Sequence, residues 1–244
     1  MGEFDGVRSD APAGRLRPAF LAELRRTVGT RARKRLLAIT LVIGVVAAVG
    51  VALGVPPADR TIAAVLTPVQ LLMSVTVPCF GVLLAADLRR SDRTRVAPML
   101  LAAVALAAGV AIFGVLVSVL ATAAVPSEAP QGRWQYLGTI VLGSVLVQGV
   151  AQLVGTGLGL LVRSVILGCI ATIVIPLGLW FLLGVVPALS PAQAWLTPFP
   201  SVQHLLSGEM TLVSWAQWFV VALIWGFGLN AVGVLRLRRT RSTP

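Results

Sequence analysis

Long apolar runs broken by short polar clusters set the pattern of this 244-residue chain. Six runs stand out, at 36–55, 62–86, 96–125, 136–162, 165–186 and 213–235. Each approaches or exceeds the roughly 20 residues that a helix needs to cross about 30 Å of hydrocarbon. A chain inside a bilayer must satisfy its own backbone, so runs of this length predict an all-α membrane protein with six transmembrane helices. The clusters between the runs alternate in character. Those at 56–60 and 126–133 contain proline and one arginine apiece, whereas the N-terminal region, residues 87–95, Arg163 and residues 236–241 carry the remaining positive charge. By the positive-inside rule both termini, the 87–95 loop and Arg163 are expected to be cytoplasmic.

Two segments outside the runs have patterns of their own. Residues 1–14 mix Gly, Pro, Ala, Asp and Glu without periodicity and are expected to form a mobile tail. In residues 15–35, Phe20, Leu21, Leu24 and Val28 recur at helical spacing, Pro18 suits a helix start, and Arg25, Arg26, Arg31 and Arg33 occupy other faces. This predicts a basic amphipathic helix in the headgroup layer, its apolar side in the acyl boundary and its arginines toward anionic phosphates. The alternative is a positively charged flank that only fixes orientation. No short apolar core precedes residue 35, so no signal peptide is expected. The connection between the last two runs holds Pro187, Pro191, Trp195, Pro198, Phe199 and Pro200. It reads either as short helices dipping into the outer leaflet or as a plain aromatic belt. Residues 236–244 read as a basic cytoplasmic tail.

Composition supports the membrane reading and narrows the chemistry. The chain is 57% hydrophobic and 12% charged, against about 25% charged in a soluble domain. Its net charge of +11 does not mark a nucleic-acid binder, because the arginines lie in gaps between apolar runs instead of on a soluble basic face. Cys79 and Cys169 both fall within runs, and no C-x-x-C or Cys/His ligand spacing accompanies them, so neither a disulfide nor a metal site is expected. His204 and Glu209 lack further ligands nearby and read as solvated loop residues.

Inside the runs the polar side chains singled out are Gln70, Gln148, Gln152 and Asn230, and no ionisable Asp, Glu, Lys or Arg sits at mid-depth. An ion-coupled secondary transporter usually needs such a group, so its absence argues against that mechanism. Gln148 and Gln152 lie one helical turn apart on a shared face, which either lines a path or bonds a neighbouring helix. Gly50-x-x-x-Gly54 and Gly155-x-x-x-Gly159 are expected to let helix backbones approach closely. Pro68, Pro78 and Pro176 are expected to bend or unwind their helices. Self-sufficient chemistry is missing from the sequence. Lys34 lacks the glycines of a phosphate-binding loop, and no G-x-S-x-G or H-E-x-x-H pattern occurs. No catalytic residue, and hence no enzyme, is expected.

Several local patterns occur together in a fixed order: the basic amphipathic stretch before the first run, Ala85-Ala-Asp-Leu-Arg-Arg between the second and third, and Gly157-Leu-Gly-Leu-Leu-Val-Arg163-Ser between the fourth and fifth. Thr197-Pro-Phe-Pro200 then precedes the sixth run, and Asn230-x-x-Gly233 precedes the arginine-rich end. In this the chain resembles permease subunits of type-2 ATP-binding-cassette exporters, the drug- and polymer-efflux group, from Arg15 to Arg241. The family often has Glu followed by Gly-Thr in the inner loop, where this chain has Asp87-Leu-Arg-Arg-Ser-Asp-Arg-Thr.

The resemblance implies a half-transporter in a bacterial plasma membrane. Two such six-helix subunits, identical or related, would form the pathway above two separate ATPase subunits, which would bind the ATP and Mg. This chain would carry no cofactor. It further implies that residues 87–95 form a coupling helix, with Asp87, Arg89, Arg90, Asp92, Arg93 and Arg95 as contacts and Arg163 as another. An apolar path suits amphipathic, lipid-like or antibiotic cargo. A membrane scaffold or assembly protein is the alternative reading, and a small secondary transporter a further one.

Overall fold

The computed structural model describes residues 28–90, 96–129 and 132–241. It is all-α, with no strand among the described residues. Six helical segments are long and apolar enough to cross a membrane. Five are single helices: α1 (Arg31–Gly54), α2 (Ile62–Arg90), α3 (Val96–Ala124), α4 (Leu137–Leu161) and α5 (Val165–Val185). Three short pieces follow: a 3-10 turn at Pro187–Ala192, α6 (Gln193–Leu196) and α7 (Pro198–Ser207). The sixth segment comprises α8 (Leu212–Val221), a π-helical stretch at Ala222–Gly228 and α9 (Leu229–Arg241). At 24 residues, α1 alone measures about 36 Å at 1.5 Å per residue, enough to cross the hydrocarbon.

The helix ends follow from local sequence. Thr30 caps α1 by accepting from Arg33 N at 3.4 Å, Ser164 caps α5 by accepting from Leu167 N at 3.4 Å, and Thr211 caps α8 by accepting from Ser214 N at 3.1 Å. The Thr30 cap places residues 31–35 inside the first long helix, whereas the sequence pattern assigned them to the interfacial helix. Arg33 continues the stripe of Thr40, Gly44, Ala48 and Ala52, which is the buried face of α1. A helix that must bury this stripe from its first turn carries Arg33 inward with it. Residues 15–27 lie outside the described residues.

The bundle is built around α2 and α4. Within its most apolar window, α2 is 61% buried and α5 only 11%. Gly81, Gly155 and Gly159 permit the central contact: a Cβ on Gly155 would lie 2.0 Å from Pro78 O, and one on Gly81 would lie 2.5 Å from Thr156 N. The expectation for Gly155 and Gly159 therefore holds, since a Cβ on Gly159 would also reach Val82 Cα at 2.7 Å. Gly50 and Gly54 depart from it, because a Cβ on either meets nothing within 4 Å. Both lie away from the buried stripe of α1, so their spacing serves no helix contact among the described residues.

The prolines do not unwind their helices. Helix α2 runs unbroken through Pro68 and Pro78, and α5 through Pro176. The irregular turn falls instead at Ala222–Gly228, in the sixth segment.

Hydrogen bonds fix which helix ends lie together. Arg33 at the start of α1 reaches Leu83 and Asp87 near the end of α2, and Arg89 reaches the turn between α4 and α5. Arg236 in α9 reaches Leu161 O. These ends make up one basic end of the bundle. At the opposite end, Ile62 N donates to Arg133 O at 2.9 Å, and Arg60 joins the ends of α1 and α3. The first and last described helices therefore begin and finish on the same side.

Candidate functional site

At the basic end, the last turns of α2 are tied to three other elements. The buried Arg33 guanidinium donates to Leu83 O at 3.1 Å and forms an ion pair with Asp87, linking α1 to α2. Asp87 keeps 51% of its side chain exposed, so its second face is open to solvent. Two residues on, Arg89 donates to Val162 O at 2.7 Å and Arg163 O at 2.9 Å. A cation on these carbonyls complements the negative end of the α4 dipole. Arg236 adds a longer bond to Leu161 O at 3.4 Å. Arg90 and Arg163 are exposed beside this junction.

Of the residues singled out in the 87–95 loop, Asp87, Arg89 and Arg90 are thus brought to the same end as Arg163. Asp92, Arg93 and Arg95 lie outside the described residues, as do Phe20, Leu24, Arg25 and Arg26 of the interfacial helix. Val28 is described, and lies half-buried beside Leu37 and Leu41 of α1.

The polar side chains of the interior form two separate groups. Gln70 and Gln148 are fully buried. Gln148 Nε2 donates to Gln70 Oε1 at 2.9 Å and to Gln70 O at 3.0 Å, while Gln70 Nε2 donates to Ala111 O at 2.9 Å, so one amide pair links α4, α2 and α3. Gln152, one turn further along, is oriented so that its amide donates to Val77 O at 2.8 Å and accepts from Gly81 N at 3.2 Å. Its contacts bracket Pro78 on α2.

The second group joins α4 to the sixth segment. Asn230 donates to Leu153 O at 2.7 Å and to Gly226 O at 2.6 Å, and accepts from the Thr156 hydroxyl at 2.8 Å. Gly226 belongs to the π-helical stretch, where the helical ladder is disturbed and a carbonyl is open to such a bond. A third contact, Thr40 Oγ1 to Thr76 Oγ1 at 2.8 Å, links α1 to α2.

At the opposite end, the proline- and tryptophan-rich connection folds back into the bundle. Leu205 and Leu206 of α7 are buried, Leu206 O accepts from the Thr67 hydroxyl at 3.2 Å, and a Cβ on Gly143 would lie 2.3 Å from Leu205 O. Thr67 and Gly143 are about 8–9 Å along their helices from the first residue, at 1.5 Å per residue. Trp225 Nε1 donates to Leu196 O at 2.8 Å, and Gln193 Nε2 donates to Trp180 O at 2.6 Å. These bonds hold α6 between the fifth and sixth segments, while α7 packs on α2 and α4. His204 and Glu209 are exposed here, and no group of three or more metal-ligating side chains occurs among the described residues.

Sequence reasoning missed Arg33 as a partner of Asp87, and Trp225 as an anchor for α6. A signal for Arg33 existed in its spacing with Thr40, Gly44, Ala48 and Ala52. None existed for Trp225, whose partner is a backbone carbonyl 29 positions away.

Six long apolar helices packed through glycines and buried amides make this chain a multi-pass membrane protein. Comparison with protein-family models, with curated proteins and with solved structures gives no match for the chain.

Proposed function

We propose that the chain is the permease subunit of an ATP-binding-cassette exporter, driven by a separate ATPase through the 87–95 loop. The observation that carries this reading is the anchoring of the last turns of α2. Asp87 is tied to α1 through Arg33, and Arg89 to the α4–α5 turn. A force applied to the loop therefore acts on four helices together, as a coupling element must. Half-exposed Asp87, exposed Arg90 and exposed Arg163 offer both signs of charge to a partner surface at that point.

The charge distribution supports a cytoplasmic basic end. Arg31, Lys34, Arg35, Arg90, Arg163, Arg236, Arg238 and Arg239 lie there. The arginines at 60 and 133 at the other end are occupied on terminal carbonyls: Arg60 on Val55 O at 2.7 Å and Pro126 O at 2.9 Å, and Arg133 on Val125 O. This asymmetry favours the basic end facing the cytoplasm.

The pathway in this reading lies between two copies. Gln70, Gln148 and Gln152 are bonded within the bundle, whereas α5 presents Ile166, Ile170, Ile173, Leu177 and Phe181 outward. A largely apolar wall of this kind suits an amphipathic or lipid-like cargo, moved as two ATPase subunits close and open beneath the membrane.

The test is ATP turnover in lipid vesicles by the chain reconstituted with its co-expressed ATPase. Asp87→Asn, which keeps an acceptor for Arg33, and separately Arg90→Ala with Arg163→Ala, both exposed, should abolish the stimulation that the permease confers while leaving each subunit folded. If turnover is unchanged in both variants, the coupling role is wrong. If no ATPase associates at all, a membrane scaffold becomes the better description.

A further inference from the structure

We propose that the furrow between α1 and α3 at the basic end is a binding site for one anionic phospholipid. The furrow encloses about 400 Å³ and is lined by Val28, Leu37 and Leu41 on one side and Leu106, Gly109 and Phe113 on the other. That volume falls within the usual range of small-molecule sites. Both helices run from the basic end toward the opposite end, and a second furrow of about 190 Å³, between Val45 and Val49 of α1 and Val117 and Leu120 of α3, continues along the same seam. An extended acyl chain lying parallel to the two helices matches this shape.

The choice of an anionic lipid comes from the charges at the mouth. Lys34, Leu37 and Leu41 follow the three- and four-residue spacing of one helix face, so Lys34 lies on the same face as the furrow residues Leu37 and Leu41, one turn nearer the start of α1. Arg31 precedes Lys34 by one turn, and Arg35 adjoins it. All three are exposed. Tails enter the apolar furrow while the phosphate meets Lys34 and Arg31. The exposed face of α5 is also apolar, with Arg90 and Arg163 near its basic end, and serves as the comparison surface. This inference is independent of the exporter reading.

Gly109 gives the variant that separates binding from folding, since a Cβ there meets nothing within 4 Å. Gly109→Leu fills the furrow without displacing a neighbour. The experiment reconstitutes the full chain in vesicles containing phosphatidylglycerol or phosphatidylcholine with the same photoreactive diazirine acyl chain, and maps adducts by peptide mass spectrometry. Phosphatidylglycerol adducts should concentrate on Leu37, Leu41, Leu106 and Phe113. Gly109→Leu should remove them while adducts on Phe181 of α5 persist as the folding control. Lys34→Gln with Arg31→Gln should lower them about fivefold or more, the effect expected per basic group beside an anionic surface. Equal labelling by the two lipids, adducts spread evenly over α1, α3 and α5, or no effect of Gly109→Leu would each overturn the proposal.

Discussion

At the level of single residues, the interior is held by amides bonded to backbone carbonyls and to other polar side chains. Gln148 contributes both of its hydrogen bonds to Gln70. Gln148→Leu removes those donors and leaves Gln70 Oε1 without its partner in a buried site. Interhelical bonds in membranes average about 0.6 kcal/mol, and an orphaned buried acceptor costs about 1–3 kcal/mol. The variant should therefore lose about 1 kcal/mol of stability in denaturant titration, chiefly the two bonds, because the acceptor it orphans on Gln70 is offset by removal of the buried Gln148 Oε1, which has no partner among the described residues. Adding Gln70→Leu should recover part of the loss, because the orphaned acceptor goes with it. Unchanged stability in Gln148→Leu would show that the pair is not formed. The presence of Gln70, Gln148 and Gln152 on apolar helices was visible in the sequence, but their pairing was not. Gln70 and Gln148 are 78 positions apart, and no periodicity within one helix specifies which amide on another will face it.

Among the helices, the six spans were legible because length and hydropathy suffice to mark them. The structural boundaries fall within a residue of the apolar run at most ends, and the exceptions are charged ends. Helix α1 starts at Arg31 because Thr30 caps it, and α2 continues to Arg90 because Arg89 finds carbonyls on the α4–α5 turn. Which glycine pair carries a helix contact was not legible, since Gly50-x-x-x-Gly54 and Gly155-x-x-x-Gly159 are identical as patterns. Only the second faces a neighbour. Gly155→Ala should accordingly cost about 1–3 kcal/mol, the usual range for overpacking, while Gly50→Ala should leave the thermal midpoint unchanged. Equal behaviour of the two variants would contradict the α2–α4 contact.

The placement of α5 against α2 has its own check. Cys79 and Cys169, both free and half-buried, lie on α2 and α5 near the point where a Cβ on Gly168 would come within 2.8 Å of Val82 Cγ1. Copper-phenanthroline, as external oxidant, should take two electrons and two protons from the pair and close a disulfide, lowering the intact mass by two hydrogen atoms. Cys79→Ser should abolish that change. Persistence of both free thiols under oxidant would place α5 elsewhere.

The whole molecule divides by charge and by composition into two dissimilar ends. One gathers basic side chains around the junction of α1, α2, α4 and α5, and the other is closed by prolines, tryptophans and the infolded α6 and α7. In the proposed exporter reading, the outward apolar face of α5 would meet a second copy and the junction would meet the partner that applies force. Both follow from the exporter reading, and neither is expected together in a scaffold that merely anchors other proteins. The most direct measurement is therefore the subunit composition of the complex, read by native mass spectrometry after gentle extraction from cells that also express the ATPase. The account predicts two permease subunits with two ATPase subunits, and loss of the ATPases alone from the Arg90→Ala, Arg163→Ala double variant, both residues being exposed. A chain recovered without any ATP-hydrolysing partner would contradict it.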